Sequence, residues 1–239
     1  MTVLQVQDLD ARHGLLRAVH GVSFSVDRGD VLALVGANGA GKTTMLRAIA
    51  GAHPVRGGAI LFNGTDVTRL PSHRRAALGL ALVPEGRRLF GPMTVLENLK
   101  LATAIGRPGP WTIETVLDAF PNLKGKLRSR ASSLSGGEQQ AAAICRALLT
   151  NPEIILLDEI SLGLSPLVVE GVYTALRRLI ADGTTIILVE QDLKRALSVA
   201  TQVICMLEGK IALAGSAGQI SEDEVTEAYF GIGRKTHDD

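Results

Sequence analysis

Nine residues, Gly36–Thr44 (GANGAGKTT), satisfy the spacing G-x-x-x-x-G-K-[S/T], with Gly36, Gly41, Lys42 and Thr43 at the fixed places. Each residue type suits the cradling of a polyphosphate. The glycines let the backbone of Gly36, Ala37, Asn38, Gly39, Ala40 and Gly41 fold tightly enough to aim N–H groups at phosphate oxygens, and the following helix offers its positive end. Lys42 supplies a mobile cation, the Thr43 hydroxyl can ligate Mg²⁺, and Thr44 is placed for the α-phosphate. The flanks agree, because Val31–Val35 (VLALV) is a buried-strand run and TMLRAIAG continues as a helix that stops at Gly51.

Two more stretches carry related chemistry. Ile154–Glu159 (IILLDE) is an apolar run ending in two acids. At the carboxyl end of a buried parallel strand beside a P-loop, Asp158 can hold Mg²⁺ directly or through water. Glu159, one position on, can point at the γ-phosphate and accept a proton from attacking water. In Leu134–Glu138 (LSGGE), followed by Gln139 and Gln140, Ser135 and Glu138 have capping-box spacing, while Gly136 and Gly137 leave the first N–H groups of a helix uncovered. One nucleotide seldom needs two such helix ends, unless the second serves a nucleotide bound to another chain.

The elements that must position these groups follow from periodicity. Val3–Gln7 and Val19–Val26 alternate as strands with one covered face, and Ala59–Phe62 before Asn63-Gly64 reads as a hairpin strand; all three are expected to be antiparallel and peripheral. Pro71–Leu78 predicts a short helix and Leu80–Val83 a buried strand. From Met93 to Asn151 the pattern is helical: Thr94–Glu97 is a capping box, with further helices over Thr112–Phe120 and Gly136–Thr150. Strands return at Ile154–Leu157 and Thr184–Val189, separated by a helix over Leu167–Ala181 with Ser165 as its cap. Gln191–Ala200 reads as helix, Gln202–Leu207 and Lys210–Ala214 as a hairpin, and Ser221–Phe230 as a last helix. The expected fold is one α/β domain: a P-loop NTPase core with a parallel sheet and a small N-terminal antiparallel β subdomain (1–92 and 151–239), and an inserted helical subdomain (93–150).

Composition narrows the classes. Lys and Arg number 25 against 24 Asp and Glu, so 25 − 24 gives +1 and no strong field for nucleic acid or anionic lipid. With 46% hydrophobic but 3% aromatic residues, the core has to be aliphatic, as suits a helix-covered parallel sheet. The apolar run Ala76–Val83 is far short of the roughly 18 residues of a spanning helix, and the polar, alternating start lacks a secretory core, so a cytosolic protein is expected. Cys145 and Cys205 lack metal-ligand spacing and read as reduced, buried thiols.

In this order, P-loop, LSGGEQ and LLDE resemble the ATP-binding subunits of ABC transporters over essentially the whole chain. VPEGRRLF (Val83–Phe90), MTVLENL (Met93–Leu99), DEISLGLSP (Asp158–Pro166) and LVEQ (Leu188–Gln191) are similar to the LivF-type subunit of branched-chain amino-acid importers. The resemblance implies a MgATP-hydrolysing subunit that pairs head to tail with a second, non-identical ATPase subunit and drives a transmembrane permease. Such a protein has no membrane-spanning segment of its own, binds no nucleic acid, and sits peripherally on the inner face of the cell membrane. It further implies that Ser135, Gly136, Gly137 and Glu138 complete the partner's ATP site, that His13 stacks on adenine where an aromatic is usual, and that Leu89–Met93 borders a cleft for a permease helix.

Several positions depart from the wider family pattern. Glu85 stands for a glutamine that senses Mg²⁺ and water, and its added charge could ligate the metal. Gln191 stands for a histidine on the γ-phosphate; an amide can donate the same hydrogen bond but never becomes cationic. Ile160 replaces a common proline, and the loop Gly163–Ser165 lacks its usual aspartate. Three other readings compete. A soluble ABC-type ATPase acting on nucleic acid or ribosomes is opposed by the neutral charge. A P-loop kinase would leave LSGGE unexplained. A subunit with feeble hydrolysis is suggested by Gln191. Trp111 reads as packing under a loop.

Overall fold

The computed structural model describes residues 1–230. In chain order it contains β1 (Thr2–His13), β2 (Leu16–Asp27), β3 (Val31–Val35), α1 (Lys42–Ile49), β4 (Val55–Phe62), β5 (Thr65–Asp66), α2 (Ser72–Leu78), β6 (Leu80–Val83), α3 (Val95–Ile105), α4 (Ile113–Ala119), α5 (Gly136–Leu148) and β7 (Ile154–Asp158). There follow α6 (Pro166–Ala181), β8 (Thr185–Val189), α7 (Leu193–Leu197), β9 (Gln202–Leu207), β10 (Lys210–Ser216) and α8 (Glu222–Phe230). Two 3₁₀ turns, Pro121–Lys126 and Ala131–Ser133, lie between α4 and α5.

Strands β3, β7 and β8 are buried at every residue, which explains their unbroken apolar sequences. They form the centre of a six-stranded sheet ordered β10-β9-β3-β8-β7-β6, parallel except for the β10 edge. Alternate side chains divide between its faces. Ile155, Leu157, Ile186 and Leu188 pack toward Leu99, Ile144 and Leu176 of α3, α5 and α6. Leu32, Leu34, Leu156 and Ile187 pack toward Met45, Leu46 and Ile49 of α1 and toward Val3, Leu4 and Val26 of a second, antiparallel sheet ordered β2-β1-β4-β5. The core is aliphatic, and both cysteines are buried free thiols whose pKa burial pushes up, to about 11 for Cys205.

Three local expectations change, and a fourth, the Ser165 cap, is met in position only. β1 runs to His13 instead of stopping at Gln7, because a bulge with Asp8 at φ 45 breaks the period-two pattern. Opposite it, Gly58 allows the close approach, since a Cβ there would collide with the Gln7 and Asp8 carbonyls; β4 therefore starts at Val55 and not at Ala59. α7 spans Leu193–Leu197 and excludes Gln191, because Asp192 accepts from the Arg195 N–H and sets a later start. Ser165 occupies the N-cap of α6 without a side-chain hydrogen bond; Pro166 has no N–H to satisfy and presets the helical φ. The capping boxes at Thr94–Glu97 and Ser135–Glu138 form as expected.

One buried cation ties α1 down from behind. The Arg75 guanidinium donates to the carbonyls of Ala48 (2.8 Å) and Ile49 (2.7 Å) at the negative end of α1, and to those of Leu70 and Thr68. Arg75→Met would leave these acceptors unpaired. The expected loss is about 3 kcal/mol, a fall in melting temperature of roughly 6–12 °C; an unchanged thermal unfolding curve would assign α1 another anchor.

Candidate active site

The P-loop connects β3 to α1 at the carboxyl edge of the sheet. Two of its glycines are sterically obligatory. Gly36 (φ 143) lies against the Met206 carbonyl and Gly41 (φ 100) against that of Ala18, and a Cβ at either would collide with backbone. The loop is thus pressed between β9 and the β1–β2 hairpin, and its N–H groups are aimed by contacts from outside the motif. Lys42 is buried, with its ammonium donating to the carbonyls of Gly36 (2.7 Å) and Ala37 (3.0 Å). Burial lowers its pKa, while the charges of Glu159 and Asp158 hold it up.

Strand order then brings the acids in. β8 lies between β3 and β7, so the residues after Val189 emerge between the P-loop and the acid pair. The Thr43 hydroxyl donates to Asp158 Oδ1 at 2.9 Å, joining positions 43 and 158 directly. Asp158 is 1% exposed, and burial raises its pKa against the opposing Thr43 bond. Its Oδ2 is buried with no hydrogen-bond partner among the described residues, so one oxygen of a carboxylate is left for a cation. Glu159 sits at φ 48, its N–H donating to the Val189 carbonyl, and its Oε2 accepts from the Gln191 amide at 2.8 Å. A non-glycine residue in the left-handed region costs on the order of 1 kcal/mol or more and persists where surrounding bonds impose it. Glu85 follows β6 in an exposed turn, near enough for its charge to act on Asp158.

The other sequence candidates separate into two places. His13 ends β1, exposed, with its ring 5.7 Å from that of His53, whose Nε2 lies 2.9 Å from the Arg12 carbonyl oxygen. Ser135 opens α5, its hydroxyl and N–H both donating to Glu138 Oε2 at 2.9 and 2.8 Å; these bonds lower the Glu138 pKa, and Lys126 lies 3.2 Å away. Gly137 packs on Val168 of α6, and Gly136 faces Leu164 and Arg87. None of these neighbours belongs to the Lys42–Asp158–Glu159–Gln191 cluster, so the Ser135 helix end is built apart from it. Sequence reasoning missed Glu190, a fully buried acid bonded to Ser161; its only sequence signal is an acid directly after the apolar run of β8. Trp111 is packed against the core, with its N–H donating to Asn151 Oδ1.

A buried lysine over a glycine-shaped loop, facing a carboxylate with one oxygen unspent, is an arrangement for a nucleotide's phosphates, and the doubly covered parallel sheet around it makes this a P-loop nucleotide hydrolase. Residues 19–161 match the ABC transporter family, and the chain belongs to that family as a LivF-type ATP-binding subunit, an ATPase. It is 36% identical over 232 residues to the high-affinity branched-chain amino acid transport ATP-binding protein BraG of Pseudomonas aeruginosa, covering 96% of this chain and 100% of that protein. It is 35% identical to the probable branched-chain amino acid transport ATP-binding protein LivF of Archaeoglobus fulgidus, with 94% and 97% covered. Among solved structures, the ADP conformation of an ATP-binding cassette of an ABC transporter superposes with a TM-score of 0.81 at 27% identity, covering 97% and 96%.

The raised Asp158 pKa has a measurable cost. Above 3.8, its ordinary value, the unfolded carboxyl ionises more readily than the buried one, so ionisation destabilises the fold as pH rises. Asp158→Asn, studied with a chelator present, is expected to melt higher than the parent at neutral pH, with the gap closing as the pH falls toward 3.8. A lower melting temperature at neutral pH would contradict the assignment of Asp158 as a buried cost kept for binding.

Proposed function

We propose that this chain hydrolyses MgATP as one of two paired ATPase subunits and thereby powers a permease that imports branched-chain or similar hydrophobic amino acids. The observation that carries the catalytic part is the joining of Thr43 to Asp158 and of Gln191 to Glu159 at the ends of β3, β8 and β7. Lys42 and the N–H groups of Gly36–Thr44 bind the phosphates. Lys42 exchanges its two loop carbonyls for phosphate oxygens, a gain for a buried cation. Thr43 and Asp158 would hold Mg²⁺, with Glu85 as a further ligand candidate; when bound, the ion neutralises charge on the phosphate oxygens. Glu159 takes the proton of the attacking water, and Gln191 orients Glu159 and donates toward the γ-phosphate. His13, with His53 beside it, offers a ring to adenine.

Ser135, Gly136, Gly137 and Glu138 complete the site of a second, non-identical ATPase subunit. What supports this reading is their separation from this chain's own cluster. For the permease, support comes from a groove of roughly 510 Å³ between α2, β6, α3 and α5, lined by Leu82, Phe90, Leu101 and Ile105 with Arg88 and Arg146 at its wall. Phe90 is 53% exposed there. No helix of the described residues is long and apolar enough to cross a membrane, which fits a peripheral place on the inner face of a cell membrane. The amino-acid cargo rests on the relatives alone, because an ATPase subunit does not touch it.

Glu159→Gln keeps the charge-binding groups and loses the base. Nucleotide affinity should stay near that of the parent while turnover falls by about a hundredfold or more; near-normal ATPase activity removes Glu159 from the role. Lys42→Ala, by contrast, should weaken MgATP binding itself in a nucleotide titration, and an unchanged affinity would overturn its phosphate contact.

A further inference from the structure

Glu190 is 1% exposed and makes no salt bridge among the described residues. Ionised acids without a cation are seldom kept in protein interiors, because the desolvation is recovered only through well-aimed hydrogen bonds. Glu190 has two, both to one residue: the Ser161 N–H reaches Oε1 at 3.2 Å, and the Ser161 hydroxyl reaches Oε2 at 2.7 Å. Ser161 lies two positions after Glu159, and Glu190 one position before Gln191. The two segments that carry the Glu159–Gln191 pair are thus clasped twice, once at the pair and once beneath it. Beyond the clasp the loop continues through a turn in which the Leu164 N–H donates to the Ser161 carbonyl at 3.2 Å. Leu164 then packs against Gly136, where a Cβ would stand 3.1 Å from its Cδ2. The second wall of the clasp is α6, from which the Tyr173 hydroxyl approaches; burial first, and the neighbouring Glu190 second, push that phenol's pKa up.

We propose that Glu190 is a positioning residue for hydrolysis: by gripping Ser161 through backbone and hydroxyl, it fixes the 159–164 turn so that Glu159 is aimed at its water and Leu164 is seated against the start of α5. This inference rests on the reading of Glu159 as the base. A single loosened clasp would disturb both this chain's attacking water and the helix end that it presents to the neighbouring subunit. Nucleotide binding, which depends on Gly36–Thr44, would be spared.

The test compares steady-state ATPase kinetics of the assembled complex carrying Glu190→Ala, Glu190→Gln or Ser161→Ala in this chain. Glu190→Ala should lower kcat by about tenfold or more with KM for MgATP within about twofold. Ser161→Ala, which keeps the backbone bond, should give a smaller fall of the same kind. Glu190→Gln, whose amide oxygen still accepts from the Ser161 N–H, should recover much of the activity. A rise in KM matching the fall in kcat, or a parent-like kcat in Glu190→Ala, overturns the proposal. Should Glu190→Ala fail to fold, Ser161→Ala decides alone, since a parent-like kcat there removes the clasp. Glu159→Gln separates the two levels: if it is inactive while Glu190→Ala is fully active, the base stands and the clasp falls; if Glu159→Gln is active, the base itself falls.

Discussion

The rest of the site depends on one buried carboxylate. Asp158 ends the strand β7, almost wholly out of water, with one oxygen accepting from Thr43 and the other without a hydrogen-bond partner among the described residues. A protein gains no stability from such a group, so its retention is a constraint on everything around it. β7 must lie one strand away from β3, α1 must start at the height of the β7 end, and the segment after β8 must pass between them. The helix-covered sheet meets these demands because its parallel strands β3, β6, β7, β8 and β9 all expose their carboxyl ends on one edge.

The same edge explains how little of the chemistry comes from flexible parts. Gly36 and Gly41 are pinned by carbonyls of Met206 and Ala18, and α1 is held at its far end by Arg75. Glu159 is forced into the left-handed region and tethered to the Val189 carbonyl. A preorganised cradle of this kind spends little free energy on rearrangement when charge develops. The Ser135 helix end is just as well formed, with Gly136 against Leu164 and Gly137 against Val168 of α6. On the proposed reading, each chain carries one half of a site and the complementary half of another.

How legible this was in the sequence depended on how local the physics is. The P-loop, the Ser135–Glu138 box and the acid pair state their geometry within a few residues, so motif spacing was enough to place them on a loop, a helix start and a strand end. The buried strands were readable for the same reason, β3 and β7 as apolar runs and β8 as a β-branched stretch. β1 beyond Gln7 was not, since the bulge at Asp8 and the opposing Gly58 reverse the alternation that marks a strand. Gln191 read as helical because the capping of α7 by Asp192 is a one-residue decision. The role of Glu190 was not legible from an acid after an apolar run alone: its neighbour Ser161 is 29 positions away, and only strand order brings them together.

The claim most exposed to a single measurement is that Gly36–Thr44 is half of a composite site. Specific ATPase activity of the purified chain should be followed from micromolar to nanomolar concentration, alone and mixed with the second ATPase subunit of its transporter. The account predicts activity per mole that collapses on dilution, or that is absent alone and appears on mixing. Undiminished activity of the isolated chain at every dilution would contradict it.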